Sequence, residues 1–237
     1  MPTILITGAN RGLGLEFTRQ YANDGWEVIA CCRNPDTAEE LQAIADSHPA
    51  VIVEKLDVCD FDAIDALGKK YSDKPLDILL NNAGIIGPFP IEENIQRQHF
   101  GQLEYDIWDD VMRTNCYAPM KMTETFMDNV AASEQKKIVN ISSSVGSISE
   151  MTIPGVAYAS SKTALNRAMT IAADQLKSKG VIVALFCPGY VKTRMDAFGY
   201  AMVEIEESIS LLRPMIDALT IEDTGCYKGH DGRTIGW

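Results

Sequence analysis

A glycine-rich turn near the start of the chain constrains the fold more than any other feature. Residues 4–6 predict a buried strand and residues 15–22 a helix, and Thr7-Gly8-Ala9-Asn10-Arg11-Gly12-Leu13-Gly14 joins them. The unpaired N–H groups and the positive dipole end of such a helix suit a phosphate. The spacing is Gly-x-x-x-Gly-x-Gly rather than Gly-x-Gly-x-x-Gly, so a dinucleotide site and an ordinary tight turn both remain possible interpretations.

Composition limits the classes of partner that this chain can have. The 237 residues, 46% of them hydrophobic, fit one α/β domain spanning residues 1–237. A formal net charge of -12 argues against nucleic acid and against an anionic membrane surface. A phosphate site in so acidic a chain must be a local basic spot, and nearby arginines therefore become informative.

The cysteines and histidines predict neither disulfides nor a metal site. Six cysteines are scattered without C-x-x-C spacing, and the three histidines have no partner at ligand spacing. We see neither a signal peptide nor an apolar run long enough to span a bilayer. The expectation is a cytoplasmic protein with free thiols.

The hydrophobic pattern alternates short strands with amphipathic helices almost to the end of the chain. It predicts a single-domain, Rossmann-type, doubly wound α/β fold with a mostly parallel seven-stranded sheet and helices on both faces. The predicted strands cover residues 4–6, 26–32, 51–56, 76–80, 137–141, 181–186 and 226–228. Further helices are predicted at 36–47 (capped by Asp36 or Thr37), 61–71, 105–129 (interrupted at Pro119), 156–179 (closed by Gly180) and 200–219 (broken at Pro214).

The ends of the predicted strands carry polar or glycine residues. In such a sheet, ligands bind beyond the carboxyl ends of the strands, near the point where the strand order reverses. Those ends are the glycine turn, Cys32-Arg33, Asp57-Val58, Asn81-Asn82-Ala83-Gly84, Ser142-Ser143-Ser144 and Pro188-Gly189. Their coincidence at one edge predicts a binding site more strongly than any one of them does.

Two arginines bear on the choice of dinucleotide. Arg33 follows the glycine turn by about twenty residues, where an acidic side chain would bind the ribose 2′-hydroxyl of NAD and an arginine accommodates the 2′-phosphate of NADP. Arg11 can add a second positive charge, and a hydrogen bond to a charged group contributes ~1.5–3 kcal/mol. The pair favours NADP(H), although both could instead be solvated surface charges.

Tyr158 and Lys162 lie four residues apart and therefore on one face of the predicted helix. A neighbouring ammonium, together with an oxidised nicotinamide, is expected to lower the pKa of the phenol. A tyrosine tuned in this way can protonate a carbonyl oxygen while hydride arrives at its carbon. Ser143 can hydrogen-bond the same oxygen. Taken separately, the Tyr-x-x-x-Lys pair is also compatible with a surface pair, and the serines with a plain turn.

The motifs together resemble the short-chain dehydrogenase/reductase superfamily over essentially the whole chain. They are the glycine turn, Asn81-Asn82-Ala83-Gly84, Ser143, Tyr158-x-x-x-Lys162 and Pro188-Gly189. Three short segments resemble more specifically the sniffer and C-factor-like carbonyl reductases of that superfamily. They are Cys32-Arg33-Asn34-Pro35, residues 188–193 and the tail 231–237. The resemblance implies that Tyr158 is the acid/base, that Lys162 lowers its pKa and holds the nicotinamide ribose, and that Ser143 polarises the carbonyl. It also implies that Asn115 holds a water linking Lys162 to solvent.

The resemblance also implies a cofactor-binding set. Asp57 and Val58 would contact adenine, Asn82-Ala83-Gly84 would support the ribose, and Val191 and Thr193 would meet the carboxamide. The full set comprises Gly8, Asn10, Arg11, Gly12, Leu13, Gly14, Arg33, Asp57, Val58, Asn82, Ala83, Gly84, Tyr158, Lys162, Pro188, Gly189, Val191 and Thr193.

Segments 85–101, 145–154 and 194–212 are expected to select a hydrophobic carbonyl substrate. Met195, Phe198, Tyr200 and Met202 would face the nicotinamide, unless they only pack the helix. Fourteen residues separate Ser143 from Tyr158, so the insertion that covers the dimerisation surface of monomeric relatives is absent. With Ala164, Ala168 and Ala172 on the same helix, this predicts a homodimer or homotetramer.

The leading hypothesis is an NADPH-dependent reductase of an aldehyde, ketone or quinone. The main alternative is a signalling or regulatory protein of C-factor type that binds the dinucleotide and turns it over only incidentally. An epimerase or dehydratase is a third possibility, but such relatives usually carry a larger C-terminal substrate region. The presence of all four of Asn115, Ser143, Tyr158 and Lys162 favours catalysis.

Overall fold

The computed structural model describes residues 1–150, 153, 155–196 and 198–237, and these contain one seven-stranded sheet. Its strand order is β3-β2-β1-β4-β5-β6-β7, and every ladder between neighbours is parallel. The strands are β1 Thr3–Thr7, β2 Glu27–Cys32, β3 Val51–Lys55, β4 Ile78–Asn81, β5 Lys137–Ile141, β6 Ile182–Cys187 and β7 Tyr227–Gly229. The predicted Rossmann-type seven-stranded sheet is confirmed.

The strand order reverses between β1 and β4, which places a binding crevice beyond their carboxyl ends. Ile4 pairs with Val28 on one side and with Ile78 on the other, so β1 is an interior strand of the sheet. All five residues of β1 are buried, as a central strand covered on both faces requires.

Helices cover both faces of the sheet. Alternate strand residues such as Ile4 and Leu5 point to opposite sides and into two separate hydrophobic clusters. α1, α2 and α8 pack on one face, and α3, α6 and α7 pack on the other. The helices are α1 Gly12–Asn23, α2 Glu39–Ser47, α3 Phe61–Lys70, α4 Ile91–Asn94, α5 Tyr105–Met112, α6 Ala118–Ala131, α7 Val156–Leu176 and α8 Ile205–Asp217.

Among the described helices, none combines the length and the apolar character that crossing a membrane requires.

The predicted caps of the second helix are wrong. Asp36 and Thr37 belong to a separate 3₁₀ turn, Pro35–Thr37, and α2 begins only at Glu39 with Ala38 at its N-cap. Pro35 starts that turn, because its fixed φ suits a first helical position. Glu39 and Glu40 lie in the first turn of α2, as expected from the helix dipole.

Pro119 does not interrupt the long helical segment after residue 105. A π-helical turn, Arg113–Tyr117, joins α5 to α6, and Pro119 lies in the first turn of α6. The irregularity therefore precedes the proline and brings Asn115 into the π-turn.

The last helix begins later than predicted and continues through its proline. Val203 pairs with Val191 in an isolated parallel bridge, and this extended pairing keeps the chain out of a helix until Ile205. Pro214 lies inside α8, and the Ala218 N–H donates to its carbonyl. The expected end of the preceding long helix is confirmed, since Gly180 closes it in the left-handed conformation at φ +73°.

Candidate functional site

A cavity of about 660 Å³ lies beyond the carboxyl ends of the strands and spans the β1–β4 switch point. The cavity contains most of the predicted binding residues in its wall. These are Gly8, Asn10, Arg11, Gly12, Leu13, Arg33, Asp57, Val58, Asn82, Ala83, Gly84, Tyr158, Lys162, Pro188 and Thr193. Residues that are distant in the sequence thus meet at one edge of the sheet, as the topology requires.

The glycine turn packs tightly against the end of β4. A Cβ on Gly14 would lie 2.2 Å from the Gly8 carbonyl oxygen, so the turn closes on itself only because Gly14 has no side chain. Asn82 Nδ2 donates to the carbonyl oxygens of Thr7 at 2.8 Å and Gly8 at 3.2 Å. These contacts leave the N-terminus of α1 facing the cavity. Gly14 thus lies behind the cavity wall and shapes the turn.

A cluster of three arginines lies along the wall of this cavity. Arg11 and Arg33 are joined by Arg194, which also stacks over the Phe89 ring at 4.4 Å. Burial lowers the pKa of Arg11, and the charges of Arg194 and Arg33 lower it further. No ion pair to any of the three occurs in the part of the chain that the structure describes. Uncompensated positive charge beside a helix N-terminus fits a phosphorylated ligand.

Lys162 projects from α7 toward the end of β5. Its Nζ donates to the Ile141 carbonyl oxygen at 2.9 Å and lies 5.9 Å from the centroid of the Tyr158 ring. Burial lowers the pKa of Lys162 to about 8, although the thiols of Cys187 and Cys116 act in the opposite direction. At neutral pH the side chain therefore carries its charge, but it can release the proton readily.

Lys162 by itself does not lower the pKa of Tyr158, and the expected joint effect with an oxidised nicotinamide stays a prediction. Burial raises the pKa of the phenol to about 12, and the Ser143 hydroxyl beside it offsets only part of that rise. The desolvation of a half-buried phenol outweighs an ammonium that lies over the ring rather than at the hydroxyl. Tyr158 is therefore protonated over the neutral range.

Asn115 lies behind the cavity wall and is fully buried. Its Nδ2 donates to the Ile85 carbonyl oxygen at 2.8 Å and to Ser161 Oγ at 3.0 Å, and its Oδ1 accepts from the Ile85 N–H. A Cβ on Gly84 would lie 3.2 Å from Asn115 Oδ1 and 3.7 Å from Lys162 Nζ. Asn115 and Lys162 thus face the same small space beside Gly84.

The remaining predicted residues support the cavity from outside it. Gly189, with φ +87°, packs so closely on His230 that a Cβ would lie 2.7 Å from the imidazole. Val191 is buried and pairs with Val203. Ser143 adjoins Tyr158, whereas its neighbour Ser142 lies in the wall itself.

Only part of the expected apolar face over the substrate is found. Met195 lines the cavity, but Phe198, Tyr200 and Met202 are exposed, Met202 by 86%. The extended segment before α8 carries these three side chains outward. Residues 151, 152 and 154 of the predicted segment 145–154, and residue 197 of the segment 194–212, lie outside the described residues.

Several wall residues received no individual role from the sequence, among them Phe89 and Arg194. Phe89 and Arg194 fall inside predicted substrate segments, and their stacking brings those segments together beside the cavity. Arg194 follows Thr193 directly, so its position after the Pro188-Gly189 strand end was a usable signal.

Comparison with known proteins agrees with the fold. The sequence matches the short chain dehydrogenase family over residues 2–202. An uncharacterized oxidoreductase of Schizosaccharomyces pombe is 29% identical over 97% of this chain and 96% of its own length. The NADPH-bound carbonyl reductase from chicken fatty liver superimposes with a TM-score of 0.90 at 28% identity, covering 100% of this chain and 99% of the other. Carbonyl reductase Sniffer of D. melanogaster gives 0.88 at 27% identity, with 100% of both chains covered.

Proposed function

This chain belongs to the short chain dehydrogenase family, and we propose that it is an NADPH-dependent reductase of aldehydes, ketones or quinones. One observation carries the proposal. A single cavity joins an uncompensated arginine cluster at Arg11 and Arg33 to the half-buried Tyr158 and the buried Lys162 beside Ser143. The NADPH-bound carbonyl reductase from chicken fatty liver, which shares the fold, supports the choice of cofactor.

The cavity wall would hold NADP(H) along its length. The N–H groups at the start of α1 would bind the pyrophosphate, and Arg11 and Arg33 the 2′-phosphate. Asp57 and Val58 would contact the adenine. Thr193 and the buried Val191 would meet the carboxamide, with Asn82 to Gly84 and Pro188-Gly189 supporting the ring and ribose.

The bound cofactor supplies a hydride to the carbonyl carbon. Ser143 and Tyr158 would donate hydrogen bonds to the carbonyl oxygen, where negative charge develops. Tyr158 would then transfer its proton to that oxygen. The raised pKa of Tyr158 suits this direction, because the phenol reaches the reaction still protonated.

Lys162 would hold the nicotinamide ribose and return a proton to Tyr158. Its pKa of about 8 allows it to give up and regain a proton near neutrality. Asn115 would hold a water in the space beside Gly84 that it shares with Lys162. The positive charges of Lys162 and of an oxidised nicotinamide would together favour the phenolate during the reverse reaction.

The apolar part of the cavity wall favours a hydrophobic carbonyl compound. Ile85, Phe89, Met195 and Ile205 supply apolar side chains to its wall. We further propose a homo-oligomer, at least a dimer, and a cytoplasmic location, which six free cysteines suit.

The direct test follows NADPH absorbance with a panel of aldehydes, ketones and quinones, and repeats the panel with NADH. We expect turnover of hydrophobic members and preference for NADPH. Tight NADPH binding with flat traces throughout the panel would contradict the proposal and favour a regulatory dinucleotide-binding protein.

A further inference from the structure

Tyr227 on β7 is a buried tyrosine that the proposed reaction does not use. It is 1% exposed, and its hydroxyl donates a hydrogen bond to the backbone carbonyl of Ser143. Its ring stacks on that of Trp237, with centroids 5.4 Å apart and planes at 29°. The last strand thus contacts the backbone of the serine beside Tyr158.

The turn that carries Ser143 is held by several parts of the fold. The Gly146 N–H donates to the Ser143 carbonyl at 2.9 Å, which closes the turn. From α7, Thr163 Oγ1 donates to the Gly146 carbonyl at 3.0 Å, and the Ser144 N–H contacts Cys187 Sγ on β6 at 3.1 Å. Of these contacts, only the Tyr227 hydrogen bond reaches the Ser143 carbonyl from another element.

The chain after β7, which we call the C-terminal segment (residues 230–237), fixes Tyr227 and the same turn. The Ile235 N–H donates to the Tyr227 carbonyl at 2.9 Å, and the Ser149 N–H donates to the Trp237 carbonyl at 3.0 Å. Arg233 pairs with Glu150 at 2.7 Å. The C-terminal segment therefore binds the substrate segment that follows Ser143 on one side and Tyr227 on the other.

We propose that Tyr227, fixed by Trp237 and the C-terminal segment, is a positioning residue for Ser143. The inference rests on the proposed function, in which the Ser143 hydroxyl must meet a carbonyl oxygen. Preorganised donors stabilise a transition state because they need no rearrangement at the moment of reaction. Loss of the Tyr227 hydroxyl leaves the Ser143 carbonyl with the Gly146 bond alone, and the turn then samples other orientations.

The test compares Tyr227→Phe with Tyr71→Phe. Tyr71 donates its hydroxyl to the carboxylate of Glu54 on β3, at the opposite edge of the sheet, so the control also loses one hydrogen bond of a tyrosine hydroxyl, away from the site. We expect Tyr227→Phe to lower kcat by about threefold to tenfold, the effect of one neutral hydrogen bond, with the KM for NADPH unchanged. Tyr71→Phe should keep the wild-type kcat.

Hydrogen exchange in the free protein supplies a readout that does not depend on activity. We expect the amides of Gly146 and Ser147 to exchange faster by about the same factor in Tyr227→Phe, with the central strands β1 and β4 unchanged. Unchanged exchange at those two amides would overturn the inference. Faster exchange throughout the sheet would also overturn it, because it would show a general loss of stability.

Trp237 offers a second variant with a conservative rescue. Its side chain is half exposed, so truncation should leave the fold intact. Trp237→Ala should reproduce the effects of Tyr227→Phe on kcat and on amide exchange. Trp237→Phe, which keeps an aromatic ring against Tyr227, should retain the wild-type kcat and exchange rates. Equal behaviour of the two Trp237 variants would contradict the role of the stack.

Absence of turnover by the wild-type protein would instead contradict the proposed function, and the exchange result would still decide the role of Tyr227.

Discussion

Lys162 and Tyr158 differ in how burial affects them, and the difference sets the direction of chemistry at the site. Burial lowers the pKa of the lysine to about 8 and raises that of the phenol to about 12. Both effects favour the neutral form of each group. Below pH 8 the lysine still carries its charge, and the phenol keeps its proton at every pH that an assay would use.

The pH dependence of reduction should follow from Lys162. Because its pKa is lowered to about 8, the charged form is lost as the pH rises through that value. We expect kcat/KM for NADPH to be level below about pH 8 and to decline above it, since this quantity reports the free enzyme.

Lys162→Arg separates this titration from other groups, because a guanidinium keeps its charge throughout the range. Whatever its absolute rate, the variant should lose the decline near pH 8. A wild-type profile that stays level up to pH 10 would contradict the assignment.

Arg33 should determine the preference between cofactors. Removing one charge-assisted hydrogen bond of ~1.5–3 kcal/mol raises a dissociation constant by about ten- to a hundredfold. We expect Arg33→Ala to weaken NADPH binding by that factor and to leave NADH binding unchanged, as titration calorimetry would measure.

Arg19→Ala is the matched control, since Arg19 lies on α1 in an ion pair with Glu16 outside the cavity. It removes the same formal charge and should leave the dissociation constants for NADPH and NADH unchanged. If Arg33→Ala lowered the affinities for NADPH and NADH by the same factor, Arg33 would not contact the 2′-phosphate.

At the scale of elements, the junction of β1 and α1 depends on contact between backbones. A Cβ on Gly14 would meet the Gly8 carbonyl oxygen at 2.2 Å and Asn82 Nδ2 at 2.5 Å. Backbone cannot move aside as a side chain can. We expect Gly14→Ala to lower the free energy of unfolding by about 1–3 kcal/mol and to weaken NADPH binding.

Gly68→Ala is a suitable control for that substitution in thermal unfolding. Gly68 lies inside α3, where a Cβ would lie 2.3 Å from the Thr125 side-chain methyl and only in ordinary contact with backbone, so a rotation of the Thr125 side chain relieves the clash. Alanine is also the better helix former, which offsets part of the cost of that rotation, so the control should lose less stability than Gly14→Ala and keep the wild-type NADPH affinity. Wild-type stability and NADPH affinity in Gly14→Ala would refute this account of the turn.

Local sequence signals were sufficient for the sheet and insufficient for some helix boundaries. Buried β-branched runs located β5 at residues 137–141, as observed. The start of α8 depended on Val191 pairing with Val203, a contact between residues twelve positions apart that no local pattern contains. The π-turn before Pro119 likewise depends on how Asn115 is bonded to Ile85 and Ser161.

Some residues of the site were predictable from the sequence, and others were not. Residues at strand ends, such as Arg33 and Tyr158, were predictable because parallel strands place their carboxyl ends at one edge. The exposure of Phe198, Tyr200 and Met202 depends on the path of an irregular segment, and the sequence predicted it wrongly. Tyr227 reaches Ser143 only through the return of β7 to the sheet edge, so nothing near it in the sequence signals the contact.

For the whole molecule, the oligomeric state is the open structural prediction. The outer side of α7 presents Ile171, which is 44% exposed, whereas Ala172 packs into the chain's own core and cannot contribute to an interface. We expect light scattering to give the mass of at least two chains, and Ile171→Arg to shift it toward one chain. A wild-type mass of one chain would contradict the prediction.

The central claim concerns what the assembled cavity does, and Tyr158→Phe tests it most directly. NADPH oxidation with the best carbonyl substrate should be measured for the wild-type and variant proteins, alongside NADPH binding. The variant keeps the ring but lacks the acid, so we predict that it binds NADPH normally and loses turnover by about a hundredfold or more. Near-normal turnover in Tyr158→Phe would contradict the account.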